Sequence, residues 1–231
     1  MSQLHDLYYF LFPTPLAAET AKELLRRLQG PRGAGRGEPM SLDRLHITLH
    51  YVGRFLNSIP REFIDRALAA GSAMDYEPFE VRLDVLQSRG GFEKGAFGTV
   101  ELAPQAGASR ELRRFQHALG NTMRRMGFAE TQICSHFNPH MTLHYKHERI
   151  DRMVVAPVAW TVMQFAMVDS LYCLGRLDVL AHWTLKHGNK AFLTGDVAKQ
   201  ADTHVDLLCC VVVRKLPRLP SPQVIGSLIS S

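Results

Sequence analysis

Two six-residue stretches carry the residues best suited to chemistry in this chain of 231: HITLHY, His46 to Tyr51, and HMTLHY, His140 to Tyr145. Side chains alternate along an extended strand, so in each copy the first histidine and the threonine two residues on point the same way, about 7 Å apart. The same alternation groups His50 with His46 and Thr48, and His144 with His140 and Thr142. Two imidazoles and two hydroxyls suit acid/base phosphoester chemistry. One neutral histidine accepts a proton from the attacking oxygen, and one protonated histidine donates to the leaving oxygen. Thr48 and Thr142 donate hydrogen bonds to the non-bridging phosphoryl oxygens as negative charge builds there.

Other chemistries fit less well. His46 with His50, and His140 with His144, have a four-residue spacing that suits zinc on a helix, but on a strand it spans about 13 Å, too far for one ion. The β-branched and apolar neighbours favour the strand, and no glutamate stands where HExxH requires one. GxSxG is absent, and Cys134, Cys173, Cys209 and Cys210 form neither a CxxC pair nor a regular framework. The expectation is a site without metal or cofactor. Gly30 to Gly37, GPRGAGRG, lacks the order and the following Lys-Ser/Thr of a phosphate-binding loop and reads as a flexible connection.

The elements that carry the two motifs repeat. Leu7 to Phe12 reads as a strand, Pro13-Thr14-Pro15 turns the chain into a helix over Leu16 to Gln29 with apolar spacing at Leu16, Leu24, Leu25 and Leu28, and Leu45 to Val52 is the first motif's strand. After a short helix from Pro60 to Ala70 and a strand from Phe79 to Leu86, the order recurs. A strand over Ala96 to Leu102 leads to a helix from Arg110 to Met126, capped by Ser109 and stopped by Gly127, and then to the second motif's strand. Strands at Ala159 to Val168 and Leu180 to Lys186 complete the pattern. The reading is α+β: a duplicated, bilobal fold in which two antiparallel-type sheets with outer helices face a central cleft.

Composition sets the frame. A hydrophobic fraction of 46% and a charged fraction of 21% describe an ordinary globular protein, and a net charge of +5 suits an anionic partner such as RNA without identifying one. The aromatic run near the start lacks the basic flank of a signal peptide, and Leu207 to Val213 is too short to span a bilayer, so no membrane association and a cytoplasmic setting are expected. Residues 1–187 read as one domain acting as a monomer, and 188–231 as a C-terminal extension, partly disordered.

On LYYFLFPTPLAAETAKELL, LHITLHYVG and FNPHMTLHY, the sequence resembles the two-histidine phosphoesterase superfamily, and in particular the RNA 2',3'-cyclic phosphodiesterases historically called 2'-5' RNA ligases, over about residues 6–187. The resemblance implies metal-free hydrolysis of a terminal 2',3'-cyclic phosphate on RNA to a 2'-phosphate. It implies His46 as proton donor to the leaving 3' oxygen, His140 as acceptor that activates water, and Thr48 and Thr142 as holders of the phosphate. Small cyclic nucleotides, 2'-5' linked oligonucleotides, 2'-5' ligation in reverse and a non-catalytic RNA-binding module are the alternative functions. Many relatives carry an arginine where this chain has Tyr145. Lys146 follows as the candidate substitute, aimed with His140 by alternation. His50 and His144 are expected at an exposed cleft edge. Phe10 or Phe12 is a candidate to stack on a base, with core packing as the competing reading.

Overall fold

The computed structural model describes residues 3–29, 39–90, 98–171 and 175–186. The expected loop over Gly30 to Gly37 and the extension 188–231 lie outside these residues. Among the described residues eight strands and three α-helices follow one another as β1 (Leu4–Leu11), α1 (Pro15–Gln29), β2 (Ile47–Leu56), α2 (Arg61–Ser72), β3 (Phe79–Arg89), β4 (Gly98–Ala103), α3 (Arg110–Arg125), β5 (Met141–His147), β6 (Met153–Val162), β7 (Gln164–Leu171) and β8 (Arg176–Thr184).

The strands form one antiparallel sheet in the order β6-β3-β4-β5-β2-β1-β7-β8. The expected pair of sheets is therefore corrected to one, joined at its centre by a single registered pair, Ile47 with Met141. On one side of that junction lie the strands of residues 79–162; on the other lie β1 and β2 with the later β7 and β8. A second correction concerns the strand expected at Ala159 to Val168. The chain there ends β6 at Val162 and begins β7 at Gln164, and the two strands lie at opposite ends of the part of the sheet between them. No glycine or proline marks the break in TVMQFAM, so the apolar run reads through it.

The helices pack on one face and cross the junction. α1 follows β1 in the chain but covers β5 and β6; α2 packs on β7, β8 and α3; α3 covers β2 and β3. Leu7, Tyr9 and Leu11 of β1, Ile47 and Leu49 of β2, Leu83 of β3, Leu102 of β4 and Met141 of β5 join Ala21 and Leu25 of α1 and Phe115 and Leu119 of α3 in one core. The buried stripe of α1 is Ala17, Ala18, Ala21 and Leu25, whereas Leu16, read from the sequence as part of it, is exposed. Ser109 does stand at the start of α3, but its hydroxyl accepts from Arg113 Nε (3.0 Å) instead of capping the backbone. Gly127, at φ +81°, takes the left-handed turn after α3 that side chains with a Cβ resist.

Candidate functional site

The His-Thr units sit on the sheet face opposite the helices. Ile47 and Met141, both fully buried in the core, fix the orientation. Their neighbours His46, Thr48, His140 and Thr142 project to the other side, and all four are half-buried. Antiparallel pairing at Ile47–Met141 sets His46 beside Thr142 and Thr48 beside His140, so the two copies face each other across the junction.

Each imidazole is oriented by its own backbone. His46 Nδ1–H donates to Arg44 O (2.6 Å), and His140 Nδ1–H donates to Asn138 O (2.8 Å). A carbonyl only accepts, so the proton is on Nδ1 in both rings and Nε2 is the atom left for proton transfer. Phe10 stacks on the His46 ring at 3.8 Å and 17°, fixing its plane. The His46 pKa is lowered to about 4, with burial the largest cause; the hydrogen bond to Arg44 O opposes the shift, and the charges of Arg44 and His140 add to it. The two imidazoles are thus close enough to sense each other.

Both echo strands depart from simple alternation at the same place. In β2, Thr48 pairs with Phe10 and His50 with Tyr9, leaving Leu49 as an extra residue. In β5, Thr142 pairs with Glu101 and His144 with Val100, leaving Leu143 extra. Each is a β-bulge, and each reverses the facing of the residues directly after it, His50 and Tyr51 in β2 and His144 and Tyr145 in β5, before a second register shift at Val52 in β2 and between His144 and His147 in β5. His50 (0% exposed) and His144 (1%) are consequently buried on the helix side, which overturns their expected place at an exposed edge. His46 and His50 point to opposite faces, as do His140 and His144, so the four-residue spacing brings neither pair together. Among the described residues no three His, Cys, Asp or Glu side chains group as metal ligands.

The same reversal puts Tyr51 and Tyr145, 42% and 55% exposed, on the face of the His-Thr units. Tyr8 lies 5.2 Å from Tyr51 and 5.1 Å from Phe10, ring centre to ring centre, so aromatic rings run from Tyr51 through Tyr8 and Phe10 to His46. Lys146, which alternation aimed at the site with His140, is exposed and lies within the second register shift of β5, between His144 and His147. Phe10, 3% exposed, packs with Ala166 and Val168 and has one ring face on His46, so of the two candidates for base stacking it is the packed one. Phe12 is half-buried, stands edge-on to His46 at 6.4 Å and lines a hollow of about 280 Å³ with Pro13, Leu42 and Leu45.

Three residues of the site were not singled out from sequence. Glu101 on β4, fully buried, accepts from Gln87 Nε2 (2.8 Å) and Arg89 Nη2 (3.1 Å), and its Oε2 lies 3.0 Å from Arg89 Nε and 3.8 Å from His140 Nε2. The signal was present in Thr99-Val100-Glu101-Leu102, an acidic residue inside an otherwise apolar strand.

Among proteins of curated function none matches this sequence. Solved structures do match in fold. LigT of E. coli without ligand is 22% identical, covers 80% of this chain and 99% of its own, and superposes with a TM-score of 0.58. LigT solved with 3'-AMP gives the same figures, 22%, 80%, 99% and 0.58. TT0787 of Thermus thermophilus is 23% identical, with 78% of this chain and 97% of its own covered at a TM-score of 0.60. A family model described as the 2'-5' RNA ligase superfamily matches residues 12–179, a span that holds both His-Thr units. With its paired motifs on facing strands and a family model matched over most of its length, the chain belongs to the 2'-5' RNA ligase superfamily.

Proposed function

We propose that the protein is a phosphodiesterase that opens the 2',3'-cyclic phosphate at the end of an RNA, leaving a 2'-phosphate. One observation carries the reading: two His-Thr units face each other across the Ile47–Met141 junction, each imidazole holding its proton on Nδ1 and offering Nε2. In-line attack at phosphorus requires a proton acceptor on the water side and a donor on the leaving-oxygen side, and the paired rings supply both without a cofactor. His140 Nε2 takes a proton from the attacking water as the new P–O bond forms. His46 Nε2 gives a proton to the 3' oxygen as its bond to phosphorus breaks. Thr48 and Thr142 donate to the non-bridging oxygens while charge accumulates on them.

The roles of the two histidines rest on the family resemblance. Burial and the nearby positive charges keep His46 neutral in the free protein at pH 7, so as donor it must gain its proton when the substrate's negative charge arrives beside it. LigT has been solved with 3'-AMP and with phosphate, which supports a nucleotide phosphate as the ligand of this site.

The test is hydrolysis of a nucleoside 2',3'-cyclic phosphate and of a cyclic-ended RNA in excess chelator. Turnover is expected to survive chelation and to fall at least about a hundredfold in His46→Ala and in His140→Ala. Activity lost to chelator and restored by zinc would sink the mechanism. Calorimetry of phosphate binding in buffers of different ionisation enthalpy then tests the donor: proton uptake near pH 6 that is lost in His46→Ala and kept in His140→Ala supports His46 as the group protonated on binding, and the reverse pattern overturns that role.

A further inference from the structure

We infer that Arg89 binds a phosphoryl oxygen of the ligand on the His140 side of the site, and that Glu101 is the residue that positions it. The argument starts from the cross-strand register. Glu101 pairs with Thr142 on one side and with Gln87 on the other, so these side chains share the face of the His-Thr units. Arg89, two residues beyond Gln87 on β3, shares that face too.

Glu101 is an expensive residue for its position. A fully buried carboxylate is tolerated only when charge and hydrogen bonds compensate it, and an apolar residue would serve a purely structural strand as well. Its compensation falls on Oε1, which accepts from Arg89 Nη2 (3.1 Å) and Gln87 Nε2 (2.8 Å), and on the ion pair with Arg89, whose Nε lies 3.0 Å from Oε2; Oε2 itself has no hydrogen-bond partner among the described residues. The arrangement is lopsided: the Glu101 side chain is 1% exposed and the Arg89 side chain 47%. The pair therefore ties down one edge of a guanidinium, and among the described residues its remaining donors have no hydrogen-bond partner.

The second observation is where that edge sits. The same Oε2 that faces Arg89 Nε lies 3.8 Å from His140 Nε2, the atom offered for proton transfer. The guanidinium is thus no farther from that nitrogen than these two short legs together. A planar fork held rigid beside a proton-transfer atom matches a phosphoryl group, whose non-bridging oxygens accept paired N–H donors.

Arg54 provides an internal comparison. It forks onto the buried Asp6 with Nε at 2.7 Å and Nη2 at 2.9 Å, on the same face, but at the far end of β2 from His46. It has the same chemistry without the neighbouring imidazole.

The inference shares with the proposed function only the assumption that a phosphoryl group occupies the site, and its test separates the two. Inorganic phosphate is titrated into the protein, and the kinetics of a nucleoside 2',3'-cyclic phosphate are measured, for the unaltered chain, Arg89→Gln, Arg54→Gln and the double variant Arg89→Gln/Glu101→Gln. In Arg89→Gln, phosphate binding is expected to weaken at least about tenfold, the scale of one charge-assisted hydrogen bond, and KM to rise by a similar factor with kcat much less affected. Arg54→Gln leaves both unchanged. The double variant removes the buried charge together with its partner, so its melting temperature recovers relative to Arg89→Gln while phosphate binding stays weak. Phosphate affinity and KM at the unaltered level in the double variant overturn the inference, leaving a structural ion pair only. Phosphate binding that depends on Arg89 with no hydrolysis of any cyclic phosphate upholds the inference and removes the proposed function.

Discussion

His50 holds its proton on the opposite nitrogen from His46, and unlike His46 it has both ring nitrogens engaged inside the protein. Its Nε2–H donates to Gln116 O (2.9 Å) and its Nδ1 accepts from the Cys134 amide (3.2 Å), so both polar atoms are occupied inside the protein. Burial lowers its pKa from 6.5 to about 4; the bond to Gln116 O opposes that shift and the charge of Arg124 adds to it. Between these two values the unfolded chain binds a proton that the folded protein does not. The stabilising contribution is therefore complete above about pH 6.5 and is lost as pH falls toward about 4, with a slope near 1.4 kcal/mol per pH unit. Denaturant midpoints measured from pH 7 to 4.5 should show a shallower acid slope in His50→Gln, whose amide keeps a donor and an acceptor but does not titrate. His46, lowered to about 4 as well, keeps part of the slope. An unchanged slope would show that His50 is not the titrating group. At this scale His46, Thr48, His140 and Thr142 were legible because chemistry and repetition coincide in them. Arg89 was not, since an ion pair between β3 and β4 leaves no spacing signal in the chain, and Glu101 showed only as an acidic residue within an apolar strand.

Elements were legible where punctuation marks their ends and obscure where it does not. Pro15, Pro60 and Gly127 bracket helices that the structure forms, each within about a residue of the expected bounds. The two bulges escaped because period-two reasoning assumes an unbroken pleat, and nothing in Leu49-His50 or Leu143-His144 differs from ordinary strand residues. The β6–β7 junction at Met163 escaped for the matching reason, an apolar run without a turn residue. Packing between elements gives the prediction for this scale. A Cβ on Gly71 of α2 would stand 2.5 Å from Trp183 Cη2 on β8. Trp183 is held in place by stacking on Phe165 at 4.9 Å and by Nε1–H donating to Ser72 Oγ (3.0 Å). Gly71→Ala should cost about 1–3 kcal/mol by overpacking, measured by chemical denaturation, and a stability equal to the unaltered protein's would show that the indole moves freely.

At the scale of the whole molecule, the sequence repeat suggested two lobes and the fold joins its parts more closely. α1 leaves one set of strands and buries its alanine face on the other, and core residues from both sets belong to one cluster. A shared core should melt as a unit: far-ultraviolet circular dichroism and tryptophan fluorescence are expected to report one coincident transition, and two resolved transitions would mean that the halves fold separately. The repeat was visible because each copy carries the same His-x-Thr-Leu-His-Tyr letters on an equivalent strand. The crossing of α1 was not, because a helix's apolar stripe says that it packs and not on what. The sheet itself ties β2 to β5 by the single pair Ile47–Met141, so the gap between the two imidazoles is governed largely by the helices behind it. Alterations on the concealed side of the molecule, in α1 or α3, are thereby able to retune the spacing between the two His-Thr units without touching either of them.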